Sequence, residues 1–167
     1  MDIEVFPPDK LIWFHQTCHC VLGWGGVCAN KYEGDGVTPV GRWPLRSVYY
    51  RPDRIGKPNT LLPTQALKPE DGWCDDPKNA AYNQHIEKPF AASYEDLWRE
   101  DGVYDLIVVL GHNDSPPQPD KGSAIFMHVV QPDLSPTEGC IALALDDLVE
   151  ILEGSGPDTA IVIHPAR

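Results

Sequence analysis

No stretch of this sequence approaches the roughly 20 consecutive apolar residues that cross a bilayer. The longest, such as residues 106–110 and 124–130, fall far short, so a soluble chain without membrane insertion is expected. Basic side chains are also scarce, 13 Lys and Arg against 25 Asp and Glu, and the formal net charge is -12. A surface of that sign repels phosphate backbones, which excludes nucleic acid as a partner. No fixed-period repeat is present, which argues against solenoids and propellers. The amino terminus, Met-Asp-Ile-Glu-Val-Phe-Pro-Pro, lacks the basic stretch and apolar core of a Sec-type leader. Either a cytoplasmic protein or a removed leader is expected on that ground. Five cysteines, Cys18, Cys20, Cys28, Cys74 and Cys140, cannot all pair within one chain, so at least one thiol is free.

What is present suits one compact β-rich unit. A chain of 167 residues with 42% hydrophobic content can bury roughly two-thirds of its unfolded surface. A single domain over 1–167 is therefore expected. Seventeen prolines and fourteen glycines are scattered throughout and cut the chain into short segments, which favours strands and loops over a helical bundle.

The patterning predicts a mainly β fold with short helices. Residues 2–6, 11–14 and 18–22 read as an opening meander, and 42–51 as a strand that follows a turn-rich segment from Glu33 to Gly41. Residues 52–93, proline-rich and without periodicity, read as an ordered surface excursion. Ser93 with Asp96 three positions on predicts a short capped helix ending at Gly102. The β-branched runs 104–110 and 124–130 predict two central strands buried on both faces or most of one. Apolar residues at 145, 148, 149 and 152 predict a helix, with Asp146 and Asp147 at its positive end, and 159–163 a closing strand.

Two segments carry chemistry. Cys140 stands in Thr137-Glu138-Gly139-Cys140-Ile141, a small-residue turn entering an apolar stretch, and His128 ends the run Ser123 to Met127. A thiol of ordinary pKa is mostly protonated at neutral pH, so a nucleophilic cysteine needs a base such as imidazole. Gly139, without a Cβ, suits close approach of a substrate carbonyl and leaves nearby N–H groups for an oxyanion. On local chemistry alone, a buried free cysteine beside a strand is more often an inert small hydrophobe than a nucleophile.

Read together, Gly122 to His128 and Thr137 to Leu143 resemble the signature of the L,D-transpeptidase, or YkuD-type, family. In that pattern a glycine-led strand ends in the base histidine, and a turn with Gly-Cys carries the nucleophile. Gly34 to Leu45 resembles the segment that the family places upstream, while Gly72 to Pro77 with Tyr82 and Asn83, and Gly111 to Asp114, are similar to a compact single-domain subgroup. The resemblance implies a β-sandwich-like catalytic domain, cysteine-dependent acyl transfer on peptidoglycan stem peptides, no cofactor, and a periplasmic or cell-envelope location. It implies Cys140 as nucleophile and His128 as base, with an amine or water as acceptor. Two positions depart from the pattern: Glu138 where histidine is common, and Ala142 where arginine or asparagine is common. The 12-position step from His128 to Cys140 is also short for the family.

Candidate substrate contacts are His112, Asn113, Ser123, Thr137 and Glu138, although Gly111 to Asp114 reads equally as a polar turn after a strand. His15, Cys18, His19 and Cys20, with Cys28, have the residue types of a zinc site. On a strand, however, His19 faces away from Cys18 and Cys20, and no second cysteine pair follows, so no metal is expected. Trp24, Trp43, Trp73 and Trp98 read either as an aromatic wall for a glycan strand or as core. A hydrolase using water, a binding module that has lost its chemistry, and a general cysteine amidase are the alternatives to a transpeptidase.

Overall fold

The computed structural model describes residues 2–166. The chain opens with β1 (Asp2–Phe6), β2 (Lys10–Trp13) and β3 (Gln16–Val21), an antiparallel meander. Two-residue strands β4 (Val27–Cys28) and β5 (Thr38–Pro39) pair with each other, and β6 (Gly41–Tyr50) follows as the longest strand. Then come β7 (Thr64–Ala66), β8 (Asp71–Cys74), β9 (His85–Glu87) and β10 (Tyr94–Asp96). The second half holds β11 (Leu106–Leu110), β12 (Phe126–Val129), β13 (Ile141–Leu143), α1 (Leu145–Glu153) and β14 (Ala160–Ile163).

The main sheet runs β11-β12-β13-β3-β2-β1-β14-β6-β7, and a further pairing of β11 with β6 closes it into a barrel-like ring. The length of β6 makes closure possible. Residues 41–44 pair with β14, whereas 45–50 pair with β11, so a single strand joins both ends of the sheet.

Alternation along the strands sorts the apolar side chains into two clusters. Leu106, Val108 and Leu110 of β11 point into the ring with Ile3, Val5, Leu11, Met127, Ile141 and Leu143, and α1 adds Leu148, Ile151 and Leu152. Ile107, Val109 and Phe126 point outward, yet they are buried as well. Leu67, Trp73, Leu97, Val103 and Tyr104 cover them. Both faces of β11 and β12 are therefore sealed, as their unbroken hydrophobicity requires.

That outer cover is the proline-rich excursion, and it is more structured than its sequence suggests. β8 pairs with β9 on one side and β10 on the other. The helix expected after Ser93 does not form. Tyr94 to Asp96 pair with Cys74 to Gly72, and Asp96 Oδ1 accepts the Trp98 N–H at 3.0 Å. The Ser-x-x-Asp signal is thus satisfied as a local aspartate turn. Among the described residues α1 is the one helix, and it spans the expected positions. Buried Arg51 fastens the cover to β6, with its guanidinium 3.7 Å from the Trp98 ring and paired with Asp53 at 2.8 Å.

Phe126 lies edge-on to both Trp73, at 5.1 Å, and Tyr104, at 5.9 Å, so it is the contact between barrel and cover. Phe126→Ala is expected to lower stability by about 3–5 kcal/mol in urea denaturation. A loss under about 1 kcal/mol would show that the cover does not depend on this packing.

Candidate active site

A cleft of about 570 Å³ lies over the outer face of β12–β13, walled by residues of the 24–36 and 94–104 segments. Its floor follows from strand alternation. Met127 faces the ring interior, so Phe126 and His128 face outward. The parallel register Met127↔Ile141 and His128↔Ala142 then sets Cys140 beside Phe126, one step diagonal from His128. Both Cys140 and His128 line the cleft.

Backbone groups hold the thiol. The Phe126 N–H donates to Cys140 Sγ at 3.4 Å, and the thiol donates to the Ala124 carbonyl at 3.2 Å. That carbonyl is aimed by an unusual backbone: Ala124 has φ +53°, a left-handed conformation uncommon for a residue with a Cβ. Asn83 holds it there. Its Oδ1 accepts from the Ala124 N–H and from Trp73 Nε1, both at 3.0 Å, while Nδ2 donates to the carbonyls of His112 at 3.0 Å and Asn113 at 2.8 Å.

The turn before Cys140 is closed on itself. Thr137 Oγ1 donates to the Cys140 carbonyl at 2.7 Å and accepts the Gly139 N–H at 3.1 Å. Gly139 has φ +129°, and a Cβ there would lie 2.7 Å from the Val37 carbonyl oxygen. Glycine is therefore needed for backbone packing, and its own N–H is already engaged by Thr137.

His128 Nδ1 lies 2.9 Å from the Val129 carbonyl oxygen. A carbonyl only accepts, so Nδ1 carries the proton and the neutral ring presents its lone pair at Nε2. Burial pushes His128 down to about 4, against the opposing effect of this hydrogen bond. Burial likewise pushes the Cys140 thiol up to about 12, helped by the nearby Glu95 carboxylate and countered by the Phe126 N–H. Exposed Glu138 adds weakly in the same upward direction. The resting pair is a neutral thiol and a neutral imidazole.

Of the expected contacts, Ser123, Thr137 and Glu138 share the cleft with Cys140 and His128. The Ser123 hydroxyl already donates to Glu33 at 2.8 Å. His112 and Asn113 do not line the cleft. His112 is buried edge-on against Trp43 at 4.8 Å, with Nδ1 unpartnered and its pKa lowered to about 4 by burial. Asn113 ties its own loop, bonding Gln118 and the Gly122 carbonyl. Both lie in the loop whose carbonyls accept from Asn83 Nδ2.

Sequence reasoning missed Tyr104, Glu95 and Arg99. The Tyr104 ring meets His128 edge-on at 5.4 Å, and its hydroxyl donates to Glu95. Burial raises Glu95 to about 7, opposed by that hydrogen bond and by Arg99. Arg99 pairs with Asp101. Only Tyr104 had a visible signal, at the start of an apolar run. The five cysteines are all unpaired; Cys18 and Cys20 face the barrel core, whereas His19 is exposed beside Asp9. Among the described residues no group of His, Cys, Asp and Glu is arranged to hold a metal ion.

Comparison with known proteins gives a family-level match: the model of the YkuD family, the L,D-transpeptidase catalytic domain, covers residues 2–163. Neither the curated proteins nor the solved structures give a match.

Two outcomes are expected from the geometry. Asn83→Ala strands two buried N–H donors and should cost about 2–4 kcal/mol. It should also let iodoacetamide reach Cys140 faster, and unchanged labelling would show that Ala124 is held by something else. The second concerns pH. The unfolded chain protonates imidazole near 6.5, but folded His128 and His112 resist until about 4. Between those values the unfolded state binds more protons, so stability falls as pH drops. Glu95, raised to about 7, acts in the opposite direction above its unfolded value, one group against two. Urea midpoints should therefore be lower at pH 5 than at pH 7, and the drop should shrink in His128→Gln; midpoints no lower at pH 5 would show that the two imidazoles do not outweigh Glu95.

Proposed function

The chain belongs to the L,D-transpeptidase catalytic domain family, and from that premise we propose that it is a cysteine acyltransferase acting on peptidoglycan stem peptides. The observation that carries this reading is the placement of Cys140 and the lone-pair face of His128 on one cleft floor. We take residues 1–167 as one catalytic domain, with the closed sheet and its outer cover as its β-sandwich-like body.

In the proposed reaction Cys140 Sγ attacks the carbonyl on the L-centre side of an L,D peptide bond. As the C–S bond forms, the thiol proton leaves its contact with Ala124 and passes to His128 Nε2. The oxyanion is assigned to the Cys140 N–H, because Thr137 holds the N–H of Gly139. Collapse breaks the C–N bond, and His128 returns its proton to the departing amine of D-alanine. The thioester then passes to the amine of a second stem, with His128 again taking a proton and the sulfur leaving. Water in place of that amine gives the hydrolytic outcome.

The resting charges shape this sequence. Burial pushes the Cys140 thiol up and His128 down, both against a standing thiolate–imidazolium pair. In this reading proton transfer is coupled to C–S bond formation. Ala142 carries no donor, so the substrate carboxylate is assigned to Arg99, which lines the same cleft. The substrate sets the expected location in the cell envelope. No helix among the described residues is long and apolar enough to cross a membrane.

Intact-protein mass spectrometry after exposure to a carbapenem tests the nucleophile. Wild type should gain one covalent adduct, Cys140→Ala none, and His128→Ala should acylate about 10²–10⁴ times more slowly. Muropeptide digests incubated with the protein separate cross-linking from trimming. A binding module predicts neither adduct nor product, and that result would overturn the proposal.

A further inference from the structure

The tryptophans of the chain divide sharply. Trp73 is buried and donates its indole N–H to Asn83 at 3.0 Å. Trp43 is half-buried and donates to the Pro39 carbonyl at 2.9 Å. Trp98 lies under the Arg51 guanidinium, and Trp13 is core. Trp24 alone is open, 61% exposed, and it lines the cleft that holds Cys140. Solvating so large an apolar ring is unfavourable by roughly 1.5–3 kcal/mol relative to burying it, so its position calls for an explanation.

Trp24 is held rigidly. Gly36, with φ +66°, lies directly beneath the indole: a Cβ at that position would fall 2.1 Å from Trp24 Cε2 and 2.4 Å from Cδ2. One face of the ring thus rests on bare backbone, and the opposite face is turned outward. The main chain is fixed as well. The Trp24 N–H donates to the Thr137 carbonyl at 2.9 Å, the Thr137 N–H to the Leu22 carbonyl at 3.0 Å, and the Gly25 N–H to the Gly36 carbonyl at 2.9 Å. Gly23 and Thr137 form a parallel bridge. Thr137 is the residue that closes the Cys140 turn, so the indole and the nucleophile are registered to each other through three residues of hydrogen-bonded backbone.

A single flat apolar face, pre-positioned and bordered by polar groups, fits a ring that is apolar on its flat side and polar around its edge. Lys31, Glu33, Thr137 and Glu138 supply that border. A membrane or a protein partner would call for a broader apolar patch. We propose that Trp24 is a stacking platform for a pyranose ring, a subsite that takes an N-acetylated sugar of the wall glycan while the attached stem reaches Cys140. The inference rests on the reading of Cys140 as acting on stem peptides for the identity of the sugar. It makes a glycan-borne stem, and not a free peptide, the preferred donor.

The test reads sugar binding without turnover, so its failure is separate from failure of carbapenem labelling. The probe is the β-1,4-linked tetramer of N-acetylglucosamine, titrated into wild-type protein while the Trp24 indole N–H is followed by NMR, with its resonance assigned from Trp24→Phe. A saturable shift is expected. Trp24→Ala and Trp24→Leu should weaken binding about tenfold, as followed on other resonances, and Trp24→Phe by less, because a smaller aromatic face remains. Circular dichroism confirms that each variant is folded. No saturable shift in wild type overturns the platform. Equal binding by Trp24→Leu also overturns it, since that result would mean apolar bulk suffices and no flat ring is being stacked.

Discussion

One buried carboxamide holds the site and its cover together. Asn83 uses both lobes: its oxygen joins Trp73 of the excursion to Ala124 beside the nucleophile, and its nitrogen joins two carbonyls of the 112–113 loop. Three segments far apart in sequence thereby meet at one side chain. Asn83 holds the left-handed Ala124 in place, and with it the carbonyl that accepts the Cys140 S–H hydrogen bond. The outer hydrophobic cluster depends on the same junction, because Trp73 packs on Phe126 from the position that Asn83 sets.

The electrostatics follow from that enclosure. Covering the outer face of β11 and β12 desolvates Cys140 and His128 together, and burial moves a thiol up and an imidazole down. The two shifts act against a standing ion pair. They favour a resting state in which His128 and Cys140 are both uncharged. Glu95, sharing the cleft with Tyr104, adds to the same tendency by placing a carboxyl near the thiol.

Much of this was legible in the sequence, and what was missed has a common cause. The strands that carry His128 and lead from Cys140 announce themselves by unbroken apolar runs and by the small residues of the Thr137 to Gly139 turn, all local signals. The closing helix is likewise local, with its apolar stripe and acidic first turn. The short strands of the excursion are not, since three or four residues among prolines carry no measurable period, and their pairing is decided by distant partners. Ser93 and Asp96 show how a helix-start pattern can be satisfied by a two-residue aspartate turn once β8 is available to pair. His112 and Asn113 lie outside the cleft lining, and polarity after a strand does not by itself say which way a loop faces. The tie that Asn83 makes is not visible in its own segment because its partners at 112, 113 and 124 lie farther along the chain, and Glu95 falls in the segment whose pattern predicts a helix.

The protonated state of Cys140 has a bearing on durability. The thiolate, and not the thiol, is the nucleophile that attacks peroxide and low-molecular-weight disulfides. A sulfur kept as a buried thiol, its S–H donated to the Ala124 carbonyl, reacts poorly with both. The enclosure that disfavours ionisation of Cys140 also slows adventitious oxidation, so this sulfur can persist, unspent, in surroundings where an exposed thiolate would be converted to sulfenic acid.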